Sequence, residues 1–598
     1  MINFLPKQLF LLDPLAIFFL AVIGLVCIPS AIFSIGYMRE EPLKKKVLAW
    51  ALLMVFVLSM CSVVTAGNLF SFLIFWELMS LASYFLVVFD YKHEKSINAG
   101  TIYLIMTHAG TACLMAAFFI LYNYAHSFDY MAVRHAVVLL SPQMRNIVFL
   151  LLLVGFSTKA GVVPLHIWLP YAHPQAPSHV SSIMSGVMIK IAIYGMIRFF
   201  VTLLGPGPAW WGAAILVLGM ISCLVGVIYA LMDHDLKKLL AYHSVENIGI
   251  ILLGVGAAMF FASLSIVPVA ALSMCAGLYH LVNHALFKGL LFLCSGSVFK
   301  ATGLRNIEKM GGLIKAMPMT AFFFLIGAMG ISALPPLNGF VSEWLTFQAF
   351  FLGILQSPGA IKIFMVVSAA VLALTSGLAA ACFVKAFGIT FLAMPRSKRA
   401  QEAREADSSM KAGMALMAAG VVLFGLGAGF AAPLIFNISQ SVLGIQATQI
   451  SFHLVSIIPP AIAAFLLVLG GVIFLWFKFG LRTRQVQYNT WDCGYYALDS
   501  RNEYTATAFS KPFRIAFGFF LLPYRKSEKI RDSFYHIRKF TYETHTTLVF
   551  KRYFYEPLAR MIYGAAFKMR KLQPGSIHLY ILYIFITLVT LLALATVF

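Results

Sequence analysis

Long apolar runs, interrupted by Gly, Pro and small clusters of charge, make up most of the chain from residue 10 to residue 478, and one more closes it. A helix needs about 20 apolar residues to cross the hydrocarbon core of a bilayer, and about 14 of these runs are long enough. They cover approximately residues 10–37, 47–66, 69–89, 99–124, 146–169, 179–204, 210–231, 239–260, 266–298, 319–352, 361–393, 412–434, 449–477 and 578–598. The pattern predicts an all-α polytopic membrane protein.

The composition agrees with this prediction. Of 598 residues, 61% are hydrophobic and 11% are charged, whereas soluble domains are about 45–50% apolar and about 25% charged. These values exclude a soluble enzyme. The first run, from about Leu11 to Ile35, lacks the cleavage-site pattern of a secretory signal and is interpreted as a retained helix.

Basic residues are divided unevenly between the two sides of the membrane. The chain has 44 Lys and Arg against 22 Asp and Glu, a formal net charge of +22. If every run crosses once, one side receives Lys7, Arg134, Arg145 and Lys362. The other side receives Arg39, Lys44, Lys45, Lys46, Lys92, Lys95, Lys237, Lys238, Lys300, Arg305, Lys309, Lys315, Arg396, Lys398, Arg399, Arg404 and Lys411. Because cytoplasmic loops are rich in Lys and Arg, the second side faces the cytoplasm, and the net charge is no evidence for nucleic-acid binding.

The segment from 479 to 577 is polar and basic. It carries 17 further Lys and Arg residues on the cytoplasmic side, interleaved with aromatic residues. Within residues 524–540, hydrophobic positions recur every three or four residues, at Ile530, Phe534, Ile537 and Phe540. This spacing predicts an amphipathic helix at the membrane surface, and nucleic-acid binding is the weaker interpretation. Pro523 and Pro557 are expected to interrupt the segment.

The cysteines give no sign of a redox centre. None of the eight stands in a C-x-x-C pair, and seven lie in apolar runs, where a free cysteine behaves as a small hydrophobe. Neither an iron–sulfur cluster nor a disulfide framework is supported. We therefore expect no cofactor and no metal on this chain, so that any redox chemistry belongs to partner subunits.

Ionisable residues occur inside the apolar runs, where each costs about 3 kcal/mol on insertion scales. The acids are Glu77, Glu246 and Glu343, and the bases are Lys159, Lys190, Lys288, Lys385, His108, His280 and His284. Any single one is explained as well by a structural ion pair as by a function. The set as a whole favours a path for protons or ions through the membrane.

One stripe of these residues suits proton transfer. His280, His284 and Lys288 are four residues apart, which puts them on one helical face with about 6 Å between neighbours along the axis. Imidazole titrates near neutral pH, so it can both accept and release a proton.

Two other charges stand beside helix-breaking residues. Lys159 precedes Gly161 and Pro164, and Glu343 follows two prolines and Gly339. Broken helices at membrane depth are tolerated where they line a cavity.

The order of the charges indicates an internal repeat. Residues 47–204 and 210–393 each contain five spans. Glu77 and Glu246 fall on the second span of their units, Lys159 and Glu343 on the fourth, Lys190 and Lys385 on the fifth. Because five is odd, the second unit enters the membrane from the opposite side, as in the inverted repeats of many transporters. This predicts two half-channels joined by a central polar line.

Six parts follow from this division. They are an N-terminal transmembrane helix (1–46), the first repeat (47–204), the second repeat (205–394), additional transmembrane helices (395–478), a basic amphipathic lateral segment (479–577) and a terminal transmembrane anchor (578–598).

Five motifs occur in order along the chain. They are Phe75-Trp-Glu77, Lys159-Ala-Gly-Val-Val-Pro-Leu-His-Ile-Trp-Leu-Pro170, Asp235-Leu-Lys-Lys-Leu-Leu-Ala-Tyr242, His284-Ala-Leu-Phe-Lys-Gly-Leu-Leu-Phe-Leu293 and Leu334-Pro-Pro-Leu-Asn-Gly-Phe-Val-Ser-Glu343. Over residues 10–480 the chain resembles the antiporter-like membrane subunits of respiratory complex I, Mrp-type sodium/proton antiporters and energy-converting nickel-iron hydrogenases. Ser244-Val-Glu-Asn-Ile-Gly249 and Thr490-Trp-Asp-Cys-Gly-Tyr495 are most similar to the large antiporter-like subunit of formate hydrogenlyase and hydrogenase-4 type complexes.

The resemblance implies a proton-translocating subunit of a membrane-bound redox complex in the inner membrane of a prokaryotic cell. Its expected partners are nickel-iron hydrogenase and iron–sulfur subunits, with formate dehydrogenase in some complexes, and the lipid bilayer. Members of this family commonly begin with two more helices, so we expect the chain to be short at its N-terminus.

The resemblance also implies roles for the buried charges. Glu77 and Lys159 form the pair that couples neighbouring units, Lys190, His284 and Lys288 relay protons, and Glu343 is the outlet gate. A change of charge in a redox partner would separate Glu77 from Lys159, and loss of the counter-charge would favour release of the lysine proton.

Two alternatives stay open on the sequence alone. An Mrp-like subunit would exchange sodium for protons without redox partners. A non-conducting scaffold would only anchor soluble subunits, but it could replace the buried charges by apolar residues and gain stability.

Overall fold

Nearly all regular structure in the described part of the chain is helical. The computed structural model describes residues 9–445, 458–480, 491, 493–495, 497–532, 536–570 and 575–597. The α-helices are α1 (Pro14–Tyr37), α2 (Leu43–Thr65), α3 (Leu69–Val87), α4 (Glu94–Ala125), α5 (Tyr130–Ala136), α6 (Pro142–Ala160), α7 (Leu169–Gln175), α8 (Ser178–Ile183), α9 (Ile189–Met196), α10 (Ala209–Met232), α11 (Leu236–Ser263), α12 (Val267–Thr302), α13 (Leu313–Ala316), α14 (Pro318–Ile331), α15 (Asn338–Gln356), α16 (Gly359–Phe391), α17 (Lys398–Gln401), α18 (Ser408–Leu426), α19 (Ala428–Leu443), α20 (Ile458–Leu475), α21 (Ala506–Ala516), α22 (Gly518–Leu521), α23 (Glu556–Arg570) and α24 (Ile577–Val597).

Short stretches of other helical geometry join or extend these helices. Those of π type are Met184–Met188, Ile197–Leu203, Trp476–Gly480 and Lys551–Tyr555, and those of 3₁₀ type are Val137–Leu139 and Ile307–Lys309. The chain divides into two compact units, Met1–Pro512 and Phe513–Phe598.

Eleven of the described helices are long and apolar enough to cross a membrane. They coincide with eleven of the fourteen apolar runs. The runs at 146–169 and 319–352 are broken pairs of helices, α6 with α7 and α14 with α15. The run at 449–477 lies partly outside the described residues. The all-α polytopic architecture is confirmed, whereas the number of 14 spans is not.

The same order of helices occurs in both halves of the first unit. Three long helices are followed by a broken one and then by another long one: α2, α3, α4, α6–α7 and α8–α9, then α10, α11, α12, α14–α15 and α16. The 36-residue α12 is about 54 Å long, and its residues 269–298 are all buried. It packs against helices of both halves and against α18 and α19, so it forms the centre of the unit.

Glycines permit a close contact between α10 and α11. A Cβ added at Gly219 would lie 2.9 Å from the carbonyl oxygen of Gly249, and one added at Gly226 would lie 2.5 Å from the backbone N of Glu246. Small residues allow backbones to approach where no apolar solvent effect drives helices together.

An ion pair fastens the outer end of α1. Asp13 caps this helix by accepting a hydrogen bond from Ala16 N at 2.9 Å. Its carboxylate also pairs in a fork with Arg198 of the π-helical stretch, at 2.5 and 2.7 Å. Tyr194 accepts a further hydrogen bond from Arg198 Nε at 3.1 Å. Forked Arg–carboxylate pairs are strong and directional, so the end of the Lys190 helix is held in place.

Each break depends on one glycine. At the end of α6, Gly161 has φ +75°, and a Cβ there would lie 1.8 Å from a methyl of Leu169. In α15, a Cβ at Gly339 would lie 1.9 Å from the carbonyl oxygen of Gly330. Both glycines stand where the sequence predicts a break, and both are required by close contacts.

The predicted amphipathic helix at 524–540 is wrong. In the second unit, strand β1 (Tyr524–Arg531) pairs antiparallel with strand β2 (Ile537–His545). β2 contains Ile, Phe, Tyr and two Thr among its nine residues, and these β-branched and aromatic side chains favour strands. Lys529 lies opposite Phe540, with Nζ 5.5 Å from the ring centroid. Phe534, one of the four positions behind the helix prediction, lies outside the described residues, as do Thr490 and Asp492.

The two prolines of the basic segment differ in their effect. α22 ends at Leu521, before Pro523, so the interruption expected there is confirmed. Pro557 lies directly after the π-helical stretch Lys551–Tyr555, and helical structure continues through it from residue 549 to residue 570, so no interruption occurs at Pro557.

The second break gives a stability prediction. Gly339→Ala should lower the free energy of unfolding by about 1–3 kcal/mol, because the new methyl overlaps a backbone carbonyl. The control is Gly377→Ala in α16, where a Cβ would meet no atom within 4 Å. Thermal unfolding of the purified protein in detergent measures both. Equal unfolding midpoints for the two variants would contradict this account of the break.

Candidate functional site

Lys159 lies in the last turn of α6, at the first break, and is 1% exposed. Its Nζ donates hydrogen bonds to Ser80 Oγ and to the Tyr103 hydroxyl, each at 2.8 Å. It also lies 5.0 Å from the centroid of the Tyr103 ring. A cation near a helix C-terminus is further stabilised by the helix dipole. Two hydroxyls, an aromatic face and a helix end thus solvate this buried ammonium.

Glu77 does not contact Lys159 directly. No ion pair within 4.0 Å joins them among the described residues, although they are close enough to interact electrostatically. Glu77 instead lies 3.6 Å from His108 Nε2, with side chains 28% and 50% exposed on the surface of the bundle. Glu77 and Lys159, which the resemblance to the family places in one ion pair, are therefore separated in the structure.

Lys190 is fully buried, just after the π-helical stretch Met184–Met188. Its Nζ donates to the carbonyl oxygen of Ser185, a backbone group that π geometry makes accessible. The Ser185 hydroxyl hydrogen-bonds with Ser244 Oγ on α11 at 2.7 Å. This contact joins the first repeat to the second.

Glu246 is hydrogen-bonded to His243 one turn earlier on α11, and both side chains are at most 1% exposed. Asn247 Nδ2 donates to the carbonyl oxygen of His243 at 2.8 Å. That bond fixes the amide so that Asn247 Oδ1 faces α12.

His280 on α12 links α11 to the second break. Its Nε2 lies 3.2 Å from Asn247 Oδ1 and its Nδ1 lies 3.0 Å from Ser342 Oγ on α15. Because Asn247 Oδ1 can only accept, His280 Nε2 carries a proton. Asn283 Nδ2 donates to the same serine oxygen at 3.0 Å. His280, on α12, is therefore hydrogen-bonded to both α11 and α15.

His284 and Lys288 follow on the same face of α12 and are fully buried. Neither ring nitrogen of His284 nor Nζ of Lys288 has a protein hydrogen-bond partner in the described part of the chain. Buried polar groups are nearly always hydrogen-bonded, so water is needed to complete the bonds of both residues.

Glu343 lies in the second turn of α15 and is 5% exposed. It accepts a hydrogen bond from Ser376 Oγ on α16. The preceding residue, Ser342, holds His280, so the second break carries both the carboxylate and the link to α12.

Lys385 on α16 is 1% exposed and lies at the inner end of α10. Its Nζ donates to the carbonyl oxygens of Leu231 at 2.6 Å and Asp233 at 2.9 Å. Exposed carbonyls at a helix end attract cations. Lys385 thus lies apart from the central line, and its part in transport stays a prediction.

The structure adds nine side chains that were not singled out from the sequence: Ser80, Tyr103, Ser185, His243, Ser244, Asn247, Asn283, Ser342 and Ser376. Six of them carry a sequence signal, since each stands within one helical turn of a predicted charge. Tyr103, Ser185 and Ser376 carry none, because each stands more than one turn from such a charge. Among the described residues, no three His, Cys, Asp or Glu residues converge as metal ligands.

Comparison with known proteins identifies the family. The sequence model described as "NADH:quinone oxidoreductase/Mrp antiporter, TM" matches residues 66–373, and that for the N-terminus of chain 5 of NADH-ubiquinone oxidoreductase (complex I) matches residues 7–46. The chain belongs to this family. The antiporter-like subunit expected from the five motifs is confirmed.

Curated relatives extend the match over nearly the whole chain. Hydrogenase-4 component B of Escherichia coli is 37% identical over 97% of this chain and 88% of the relative. Formate hydrogenlyase subunit 3 of the same organism is 37% identical over 71% of this chain and 68% of the relative. A component of the Na(+)/H(+) antiporter of Bacillus subtilis is 35% identical over 53% of this chain and 40% of the relative.

Solved structures share the fold. An archaeal respiratory complex, the membrane-bound sulfane sulfur reductase, has a chain that superposes with a TM-score of 0.77 at 23% identity, covering 98% of this chain and 89% of that one. Respiratory complex I from Thermus thermophilus gives 0.62 at 23% identity, covering 73% and 85%. The chain therefore shares the fold of subunits of respiratory membrane complexes.

The solvation of Lys159 gives the next prediction. Tyr103→Phe removes a hydroxyl that accepts a hydrogen bond from a buried cation and also hydrogen-bonds with Ser83 Oγ at 2.6 Å, and it should cost about 1.5–3 kcal/mol of stability. The matched control is Tyr279→Phe, also fully buried, whose hydroxyl donates to the Phe424 carbonyl at 2.6 Å. A neutral hydrogen bond contributes about 1 kcal/mol. Chemical unfolding in detergent compares the two, and an equal or smaller loss for Tyr103→Phe would refute the proposed solvation.

Proposed function

We propose that this antiporter-like subunit carries protons along a central line of buried polar groups and is driven by redox chemistry in partner subunits. The line runs through Lys159, Lys190, Glu246, His280, His284, Lys288 and Glu343. The observation that carries the proposal is two hydrogen-bonded links between helices. Ser185 bonds to Ser244 across the repeat boundary, and Asn247 is linked through His280 to Ser342 within the second repeat.

The chemistry at His280 suits a relay. Ser342 Oγ has a single proton and two acceptors within reach, His280 Nδ1 and the Gly339 carbonyl at 3.0 Å. When His280 is neutral, the serine donates to Nδ1. When Nδ1 is protonated it donates instead, and the serine hydroxyl turns to Gly339. Protonation of one group thus reorients the next without moving a helix.

The separation of Glu77 from Lys159 fits a coupling role for the pair. Glu77 faces an apolar groove of about 640 Å³ on the bundle surface, and its Oε1 has no hydrogen-bond partner within the described residues. A cationic group of a neighbouring subunit docked there would draw the carboxylate further away from Lys159. Loss of that counter-charge favours transfer of the lysine proton towards Lys190.

Proton transport is tested with two charge-neutral variants. Lys159→Met and Glu343→Gln should abolish proton pumping in inverted vesicles while part of the electron transfer remains, because each removes a proton-carrying group and no redox centre. The control is Lys315→Met, a lysine exposed at the inner surface. Pumping at the wild-type level in both buried-charge variants would refute the route.

We further propose that the partners are nickel-iron hydrogenase and iron–sulfur subunits. Supporting this, the hydrogenase-4 and formate hydrogenlyase relatives match over most of their length, whereas the sodium/proton antiporter component of Bacillus subtilis is matched over 40% of its length.

Mass spectrometry of the complex purified through this chain should identify these partners, and also formate dehydrogenase where formate is the electron donor. Mrp-type partners together with sodium-dependent pH changes in vesicles would favour the antiporter alternative. A complex that holds redox subunits but transports neither ion would favour the scaffold.

A further inference from the structure

A cavity of about 740 Å³ opens at the outer ends of the helices, at the opposite end of α6 from Lys159. Its walls are the start of α6, the stretch before it, the turn between Leu203 and α10, and the end of α19. Trp210, 40% exposed, stands at its rim. Tryptophan is typical of the membrane–water interface, so the cavity lies at the depth of the lipid headgroups.

The cavity is positively charged. Arg134 and Arg145 both line it, although the outer loops contain only four basic residues. No Asp or Glu is among its described lining residues. The Arg134 side chain is exposed and forms no hydrogen bond or ion pair within the described part of the chain. Two of the four outer cations thus converge on one space without a counter-charge.

Arg145 lines the same cavity and is fixed in position by its contacts with the adjacent turn. Its Nη2 donates to the carbonyl oxygens of Leu204 and Pro206, the latter at 3.1 Å, and its guanidinium lies 5.4 Å from the Trp211 ring centroid. Its Nη1 makes no hydrogen bond to the described residues, whereas its Nε is buried and unpaired. The N-terminal ends of α6 and α10 also open onto the cavity, and helix N-termini favour anions.

A second, apolar cavity of about 150 Å³ continues from the first. The two share Val201, Gly205, Pro206 and Leu443. Beyond these residues its walls are apolar and include Phe200, Met259 and Ala262. A charged chamber at headgroup depth that leads into an apolar one matches a molecule with an anionic head and a hydrocarbon tail.

We propose that this pair of cavities binds an anionic phospholipid of the outer leaflet. Its phosphate lies between Arg134 and Arg145, and part of one acyl chain enters the smaller cavity. Arginine suits phosphate because its planar N–H groups can donate in parallel. The bound lipid would brace the π-helical end of the helix that carries Lys190.

Titration of the purified, delipidated protein with phosphatidylglycerol, followed by native mass spectrometry, tests the site. Arg134→Gln should weaken phosphatidylglycerol binding about fivefold to tenfold, because each basic group near an anionic headgroup contributes about that factor. The control is Lys362→Gln, a change at an exposed outer lysine that does not line the cavity, and it should leave binding unchanged. Because Arg134 makes no hydrogen bond or ion pair to the described residues, its replacement should not disturb folding, whereas Arg145 supports the adjacent turn and is left intact.

Two further arms distinguish a lipid from a free anion. Ala262→Leu narrows the smaller cavity and should weaken phosphatidylglycerol without affecting inorganic phosphate. Phosphatidylcholine, which has no net charge, should bind more weakly than phosphatidylglycerol to the wild type and be insensitive to Arg134→Gln. Equal phosphatidylglycerol binding by wild type and Arg134→Gln, or by wild type and Ala262→Leu, would overturn the proposal.

Discussion

A charged group inside an apolar helix bundle has to be solvated by the protein itself, and this requirement determines much of the architecture. Lys159 has hydroxyls from α3 and α4, Lys190 has a carbonyl in a π-helical turn, and Lys385 has the open end of α10. None of them has a carboxylate within ion-pair distance among the described residues. A group whose partners are neutral dipoles can gain or lose a proton without leaving an unpaired opposite charge buried beside it. In a buried ion pair, loss of either charge leaves the other uncompensated.

The two helix breaks carry charges of opposite sign. Lys159 stands at the C-terminal end of a half-helix, where carbonyls point, whereas Glu343 stands in the second turn of another half-helix and accepts a hydrogen bond from Ser376 on α16. The repeat inverts both the direction of the chain and the sign of the charge at the break. Each break is closed by a glycine against its neighbour, so the polar ends remain tightly packed.

Much of the fold could be predicted because its signals are local. Apolar runs and charge asymmetry depend on neighbouring residues, and the glycines and prolines of the breaks stand beside Lys159 and Glu343. The prediction of an amphipathic helix at 524–540 is wrong because it relied on the three-to-four-residue spacing of four hydrophobic residues. The β-branched and aromatic residues of β2, which favour a strand, were given too little weight. The direct pairing of Glu77 with Lys159 follows from the resemblance alone; the structure turns Glu77 to the surface beside His108.

The buried charges of the site could be named from the sequence, but their connections could not. The bonds from Ser185 to Ser244 and from His280 to Ser342 join helices that are distant along the chain, and no periodicity reports such contacts. The number of protons pumped per two electrons by the complex carrying His280→Gln tests the proposed line most directly, since glutamine keeps the hydrogen-bonding groups but cannot carry a proton. The account predicts that transport through this subunit stops while electron transfer continues. An unchanged ratio of protons to electrons would contradict it.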